Sequence, residues 1–180
     1  MQSFERILSG GDLRSIGKSN LVVLKVTNQT HFDDLFKCLF HNDRIVVMRA
    51  ADAIEKITTN NPGYLQKHKK KIFALCKIFA DKGLKWHLAL LIPRLQLDNK
   101  EFNAAWNILT AWAKDRSNSR IVRVNSIQGL FNLCLQNIAL KPELILLLSE
   151  LEVENIPSIN ARIKKLSHSL KFQHKIQKGL

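Results

Sequence analysis

The chain has 180 residues, 46% of them hydrophobic, and carries 28 Lys plus Arg against 15 Asp plus Glu, a formal net charge of +13. That apolar fraction excludes a disordered chain and puts the excess charge on the surface of one folded domain or a short repeat array. Seven Gly and four Pro are too few for a barrel or sandwich, which needs turn residues about every 8–12 positions, and no apolar run reaches the ~18–20 residues that cross a bilayer.

In chain order, MQSFERILSGG carries Glu5 and Arg6 where a signal peptide needs an apolar stretch, so retention in the cytoplasm is expected. Short helices are predicted at Phe4–Leu8 and from Asn20 to about Val26, within an N-terminal capping segment of residues 1–29. Between them, GGDLRSIGKS (Gly10–Ser19) is similar to a phosphate-binding loop. However, five residues separate Gly11 from Gly17, Asp12 stands where the first Gly should be, and no strand precedes it. The reading is a loop with Ser19 as the N-cap of the next helix.

Helices follow at Phe32–His41, Arg44–Thr58, Gly63–Ala80, Leu84–Leu97, Lys100–Lys114, Ser119–Gln136, Glu143–Leu151 and Ser158–Lys171. They are separated by HND, TNNPG, DKG, LDN, DRSNS, NIALKP and VENIP. No segment alternates as a strand would, so the class is all-α. Pro93 removes a backbone donor and should kink its helix. The basic tail, residues 172–180, lacks a core pattern and should fray.

The helices repeat in pairs. In the first helix of each pair Phe36, Ile72, Ile108 and Leu144 are 36 apart, as are Leu39, Leu75, Ala111 and Leu147, and Phe40, Cys76, Trp112 and Leu148. In the second helices the spacing is 38: Ala51, Ala89, Ile127; Ile54, Ile92, Leu130; Ile57, Leu95, Leu133. Two helices per period near this length mean a solenoid whose core forms by stacking. The units are residues 30–60, 63–97, 98–137 and 141–171, in a single repeat domain of residues 1–180.

The second helices read RIVVMRAADAIEKI after Asp43, KGLKWHLALLIPRL after Asp81 and RIVRVNSIQGLFNL after Ser119. A link Asp, then Val or a basic residue, then small residues before Ile or Leu resembles the HEAT repeat family and its armadillo-like relatives, including a group of small bacterial HEAT-repeat proteins. The resemblance covers about Leu21 to Ser169. It implies a right-handed α-α superhelix of about four pairs, with the second helices lining a concave face. Val47 departs from it, standing where HEAT units commonly carry Arg, whereas Lys85 and Arg123 keep that position basic. The family also often pairs a link Asp with a second-helix cation, which would set Asp43, Asp81 and Asp115 against Arg49, Lys85 and Arg123.

Acidic residues are absent from residues 82–97, 116–142 and 155–180. The second-helix stripes then nominate a basic groove from Arg44, Arg49, Lys82, Lys85, His87, Arg94, Arg120, Arg123, Asn125, Gln128, Arg162 and Lys165. Such a surface attracts a polyanion, whether nucleic acid or an acidic protein. The run Lys67, Lys69, Lys70, Lys71 lies on a first helix and should face outward.

Motifs for chemistry are missing. Cys38, Cys76 and Cys134 sit among apolar residues with no CxxC, and the six histidines form no HxxxH or HExxH. No GxSxG occurs. Neither a metal, a cofactor nor a catalytic residue is expected, and the thiols read as buried small hydrophobes. Trp112 and Trp86 read as core; Trp106 aligns with Asp34 and Lys70 and is either a surface contact or packed on the next unit. The expected function is therefore a non-catalytic binding scaffold with no membrane partner. The alternative is an alkylpurine DNA glycosylase, since such enzymes also use HEAT-like repeats. They are similar in placing an Asp beside aromatic residues in the groove, whereas here the second helices from Lys82 onward contain no Asp or Glu, and Asp52, Glu55 and the link acids are those available.

Overall fold

A computed structural model describes residues 3–11, 17–78 and 82–177. Ten α-helices succeed one another with no strand among the described residues: α1 (Phe4–Leu8), α2 (Gly17–Lys25), α3 (Gln29–Lys37), α4 (Arg44–Asn60), α5 (Lys69–Ile78), α6 (Lys82–Leu91), α7 (Asn99–Lys114), α8 (Arg120–Gln136), α9 (Lys141–Glu152) and α10 (Pro157–Gln177). They form two compact units, Met1–Gln96 and Leu97–Leu180. In the first, α4 packs between α2 and α6; in the second, α8 packs on α7, α9 and α10.

Local sequence explains the boundaries. Asn28 accepts from the His31 amide to start α3, and Asp43 accepts from the Ile45 amide to start α4. Asp98 and Glu101 form a reciprocal capping box at the start of α7. Pro93 ends its helix rather than kinking it: Ile92–Arg94 tightens into a 3-10 turn and Leu95 is extended. The predicted helix from Gly63 likewise begins as a 3-10 segment, Pro62–His68, before α5. The predicted cap Ser19 instead lies inside α2, fully buried, and its hydroxyl donates to Asp52 Oδ2.

All nine positions of the 38-residue register are buried. Small Ala51 and Ala89 at the first of these sites let neighbouring helices approach closely. Aliphatic Ile54, Ile92 and Leu130 fill the layer beneath, each fully buried. Removing such a side chain from water stabilises the fold by about 1.5–3 kcal/mol.

The 36-residue register of the first helices fails in two places. In α7 the buried face is Ala105, Trp106, Leu109, Trp112 and Ala113, so Leu109 takes the place expected of Ile108, and Ala111 is exposed. The helix is turned by one position relative to its counterparts. Phe40 is 49% exposed because α3 tightens into a 3-10 turn at Cys38–Phe40. That winding advances each residue further around the axis and carries Cys38 inward instead.

Cys38 and Cys134 are buried and Cys76 half-buried, all free. Burial pushes the Cys38 thiol up to about 11 and the Cys76 thiol to about 12, which keeps both protonated and unreactive. The backbone of α10 continues through the predicted fraying point to Gln177; residues 178–180 lie outside the described residues.

Ile54→Asp and Leu130→Asp each bury an unpaired carboxylate, at a cost of roughly 3–5 kcal/mol. Circular dichroism should show loss of cooperative melting for both, whereas Leu146→Asp, on the exposed side of α9, should melt as the parent does.

Candidate functional site

The twelve nominated residues separate into cations spent inside the fold and polar groups left on one surface. Arg49 is 3% exposed, and its Nη1 donates to the carbonyls of Leu8 and Gly10, both at 2.6 Å. Lys18 Nζ donates to the Ser9 and Gly10 carbonyls. Two cations thus satisfy the last carbonyl of α1 and the two carbonyls that follow it in the turn. The glycine pair makes this possible. Gly10 and Gly11 have φ of 68° and 78°, and a Cβ on Gly11 would sit 3.4 Å from Arg49 Nη2. What reads as a phosphate loop is, at its described end, a turn folded over a buried arginine; residues 12–16 lie outside the described residues.

Arg123 is the corresponding clamp in the second unit. It is 2% exposed; its Nε donates to Ala113 O at 2.7 Å, and its Nη1 and Nη2 both reach the Glu154 carboxylate at 2.9 Å. One guanidinium therefore ties the end of α7 to the link between α9 and α10 in fork-to-fork geometry. The carboxylate in this clamp is Glu154 and not the expected Asp115, because a planar fork needs a facing carboxylate, whereas Asp115 Oδ1 accepts from the Ser117 amide in its own turn. Asp43 is likewise engaged as a helix cap, and Asp81 lies outside the described residues.

His87 is 1% exposed and its Nδ1 lies 2.6 Å from Glu55 Oε2. Arg94 donates to the Glu55 carbonyl at 2.6 Å and to Thr58 Oγ1 at 2.7 Å. These contacts fasten α6 to α4. Asn125 is 8% exposed. As contact residues Arg49, His87, Arg123 and Asn125 are thus corrected: burial removes them from any surface a partner could reach. Lys85 is half-buried, Arg44 is exposed, and the Lys82 side chain lies outside the described residues.

Asp52, the acid required by a base-removing enzyme, receives Lys56 Nζ at 2.6 Å together with the Ser19 hydroxyl. Trp106 is 4% exposed and its Nε1 donates to Glu143 Oε1 at 2.6 Å, so it packs within the second unit rather than serving as a surface contact. Of the lysine run, Lys67 is exposed and pairs with Asp33 at 3.0 Å, and Lys70 and Lys71 are exposed. Asp33 also accepts from Gln29 and His68; burial works against its charge, but these three donors outweigh it and hold the carboxyl down at about 2.

The remaining nominees share a surface. Helix α8 is buried on every side but one, where Ile121, Val124, Gln128, Asn132 and Leu135 recur at helical spacing. Arg162 Nη1 of α10 donates to Gln128 Oε1, and Gln128 Nε2 donates to Asn132 Oδ1 at 2.9 Å. Lys165 and Arg120 are exposed. Neither α8 nor α10 contains an Asp or Glu. Among the described residues no cluster of His, Cys, Asp and Glu is fit to hold a metal ion, and no helix is long and apolar enough to cross a membrane.

Stacked helix pairs, cations clamped onto interhelical links and one open second-helix face describe a helical-repeat scaffold. A family model for the HEAT repeat domain matches residues 12–170, and the chain belongs to that family. No curated protein and no solved structure gives a match. HEAT repeats generally mediate protein interactions, and the family is typically non-enzymatic.

Two measurements follow from the clamps. Arg123→Met leaves Glu154 without its buried partner, and chemical denaturation should show a loss of about 3 kcal/mol. An unchanged midpoint would contradict the clamp. The second is acid unfolding. The Asp33 carboxyl protonates near 3.8 when unfolded but only at about 2 when folded, and Arg123 lowers Glu154 from its usual 4.5. Both contributions are complete above pH 4.5 and fade as the pH falls, Glu154 first and Asp33 between about 4 and 2. Asp33→Asn should flatten the lower part of that decline.

Proposed function

We propose that the chain is a non-catalytic binding scaffold that holds an anionic partner on the face shared by α8 and α10. The observation that carries this reading is the complete absence of carboxylates from both helices combined with the Arg162, Gln128, Asn132 relay. Arg162 spends one of a guanidinium's five N–H groups on Gln128, and both amide oxygens already accept. The unused capacity of the relay is thus weighted to donors, with Lys165 one turn along. Such a surface favours ligands that bring oxygen acceptors and negative charge. The second helices of the first unit differ, because the Asp52 and Glu55 carboxylates engage Lys56 and His87 there.

Labelled poly-glutamate titrated at low salt and followed by anisotropy tests the reading. Affinity should fall steeply as salt rises, since bound cations and anions release their counterions. Arg162→Gln with Lys165→Gln should lose at least tenfold, while Lys70→Gln with Lys71→Gln, an equal change in charge elsewhere, should lose less than twofold. Equal losses would reduce the interaction to net charge and overturn the assignment of the face.

A further inference from the structure

The open face of α8 is not uniformly basic, and its apolar ends are the informative part. Ile121 is 49% exposed and Leu135 is 43% exposed. They bracket the donor relay at the two ends of one stripe, with Val124 half-buried beside the first. Ile121 and Leu135 are large aliphatic groups on the open stripe of a helix that is otherwise buried.

Building on the proposal above, we infer that the α8–α10 face binds an extended acidic peptide segment carrying two apolar anchors, one on Ile121 and one on Leu135, with its carboxylates on Arg162 and Lys165. The spacing sets the pattern. Fourteen residues of helix separate the two anchor sites, about 21 Å at 1.5 Å per residue. An extended chain covers that distance in about six residues at ~3.4 Å each, and side chains two apart share a face. Apolar residues at positions 1 and 7 and acids at 3 and 5 therefore point to the same side. Leu-Ser-Glu-Ser-Glu-Ser-Leu is the simplest such sequence.

A nucleic acid fits the same face less well. Each strand of a duplex places one phosphate per about 3.4 Å of helix axis, and phosphates are bound mainly through closely spaced Lys and Arg. Here the cations are few, Arg120 at the start of α8 and Arg162 and Lys165 on α10, and Ile121 and Leu135 would set hydrocarbon against phosphate.

The test uses that heptapeptide, fluorescein-labelled and flanked by Gly-Ser, against the full chain. It should bind at least tenfold more tightly than versions with both Glu changed to Gln or both Leu changed to Ser, and more tightly than a labelled duplex DNA at equal salt. Ile121→Ser and Leu135→Ser should each weaken the peptide about tenfold and leave poly-glutamate binding unchanged, whereas Leu146→Ser on α9 should alter neither. All three sites are exposed, and coincident melting curves check that the fold is intact. If the Ser-anchored peptide or the Ile121→Ser protein binds as well as the parent pair, the anchored-peptide inference is overturned while the anionic-partner reading stands. If the heptapeptide and poly-glutamate both fail to bind at low salt, both are overturned.

Discussion

Near-complete burial of the second helices is the constraint from which the other features follow. α4 and α8 are enclosed by helices on most sides, so a cation on them must either find acceptors inside the fold or sit on the little surface left. Leaving a guanidinium buried without partners would cost several kcal/mol. Arg49 and Arg123 meet this demand in different ways: the first reaches carbonyl oxygens at the end of α1 and in the turn after it, the second a carbonyl and a bidentate carboxylate. Each also links successive helix pairs, so the group that would endanger the core becomes one of the ties across it.

The same enclosure separates structural charge from charge available for recognition. A net charge of +13 suggests a broadly positive molecule, yet Arg49 and Lys56 of α4 are matched by backbone oxygens and Asp52, and Arg94 by the Glu55 carbonyl and the Thr58 hydroxyl. α8 and α10 have no acid of their own, and Arg123 draws on Glu154 from the link between α9 and α10. The functional reading therefore rests on where compensation stops rather than on how many Lys and Arg the chain contains.

Much of the architecture is legible in the sequence because stacking imposes a period. The 38-residue row of Ala, Ile and Leu marks the most confined positions, where few side chains fit, and all nine are buried. The first helices face outward on one side and tolerate rotation, which is why Leu109 replaces Ile108 and why a 3-10 turn displaces Phe40. The site was less legible. Arg49 and Arg123 look like groove residues when only their spacing is considered, since nothing in a helical stripe announces carbonyls 39 and 41 residues from Arg49 or a carboxylate 31 residues from Arg123. His87 was misplaced for the same reason, its partner Glu55 lying 32 residues earlier. The Gly10–Gly11 pair was the available signal: a positive-φ turn invites close backbone approach. Ile121 and Leu135 escaped attention because a search for charge passes over exposed hydrocarbon.

The central claim is that arginines of one helix-pair array divide into clamps and contacts. Side-chain Nε–H resonances of arginine, followed by NMR while poly-glutamate is added at low salt, test it most directly. The account predicts that the Arg162 signal shifts progressively with added polyanion while those of Arg49 and Arg123 stay fixed. Movement of Arg123 or Arg49 equal to that of Arg162 would contradict the division.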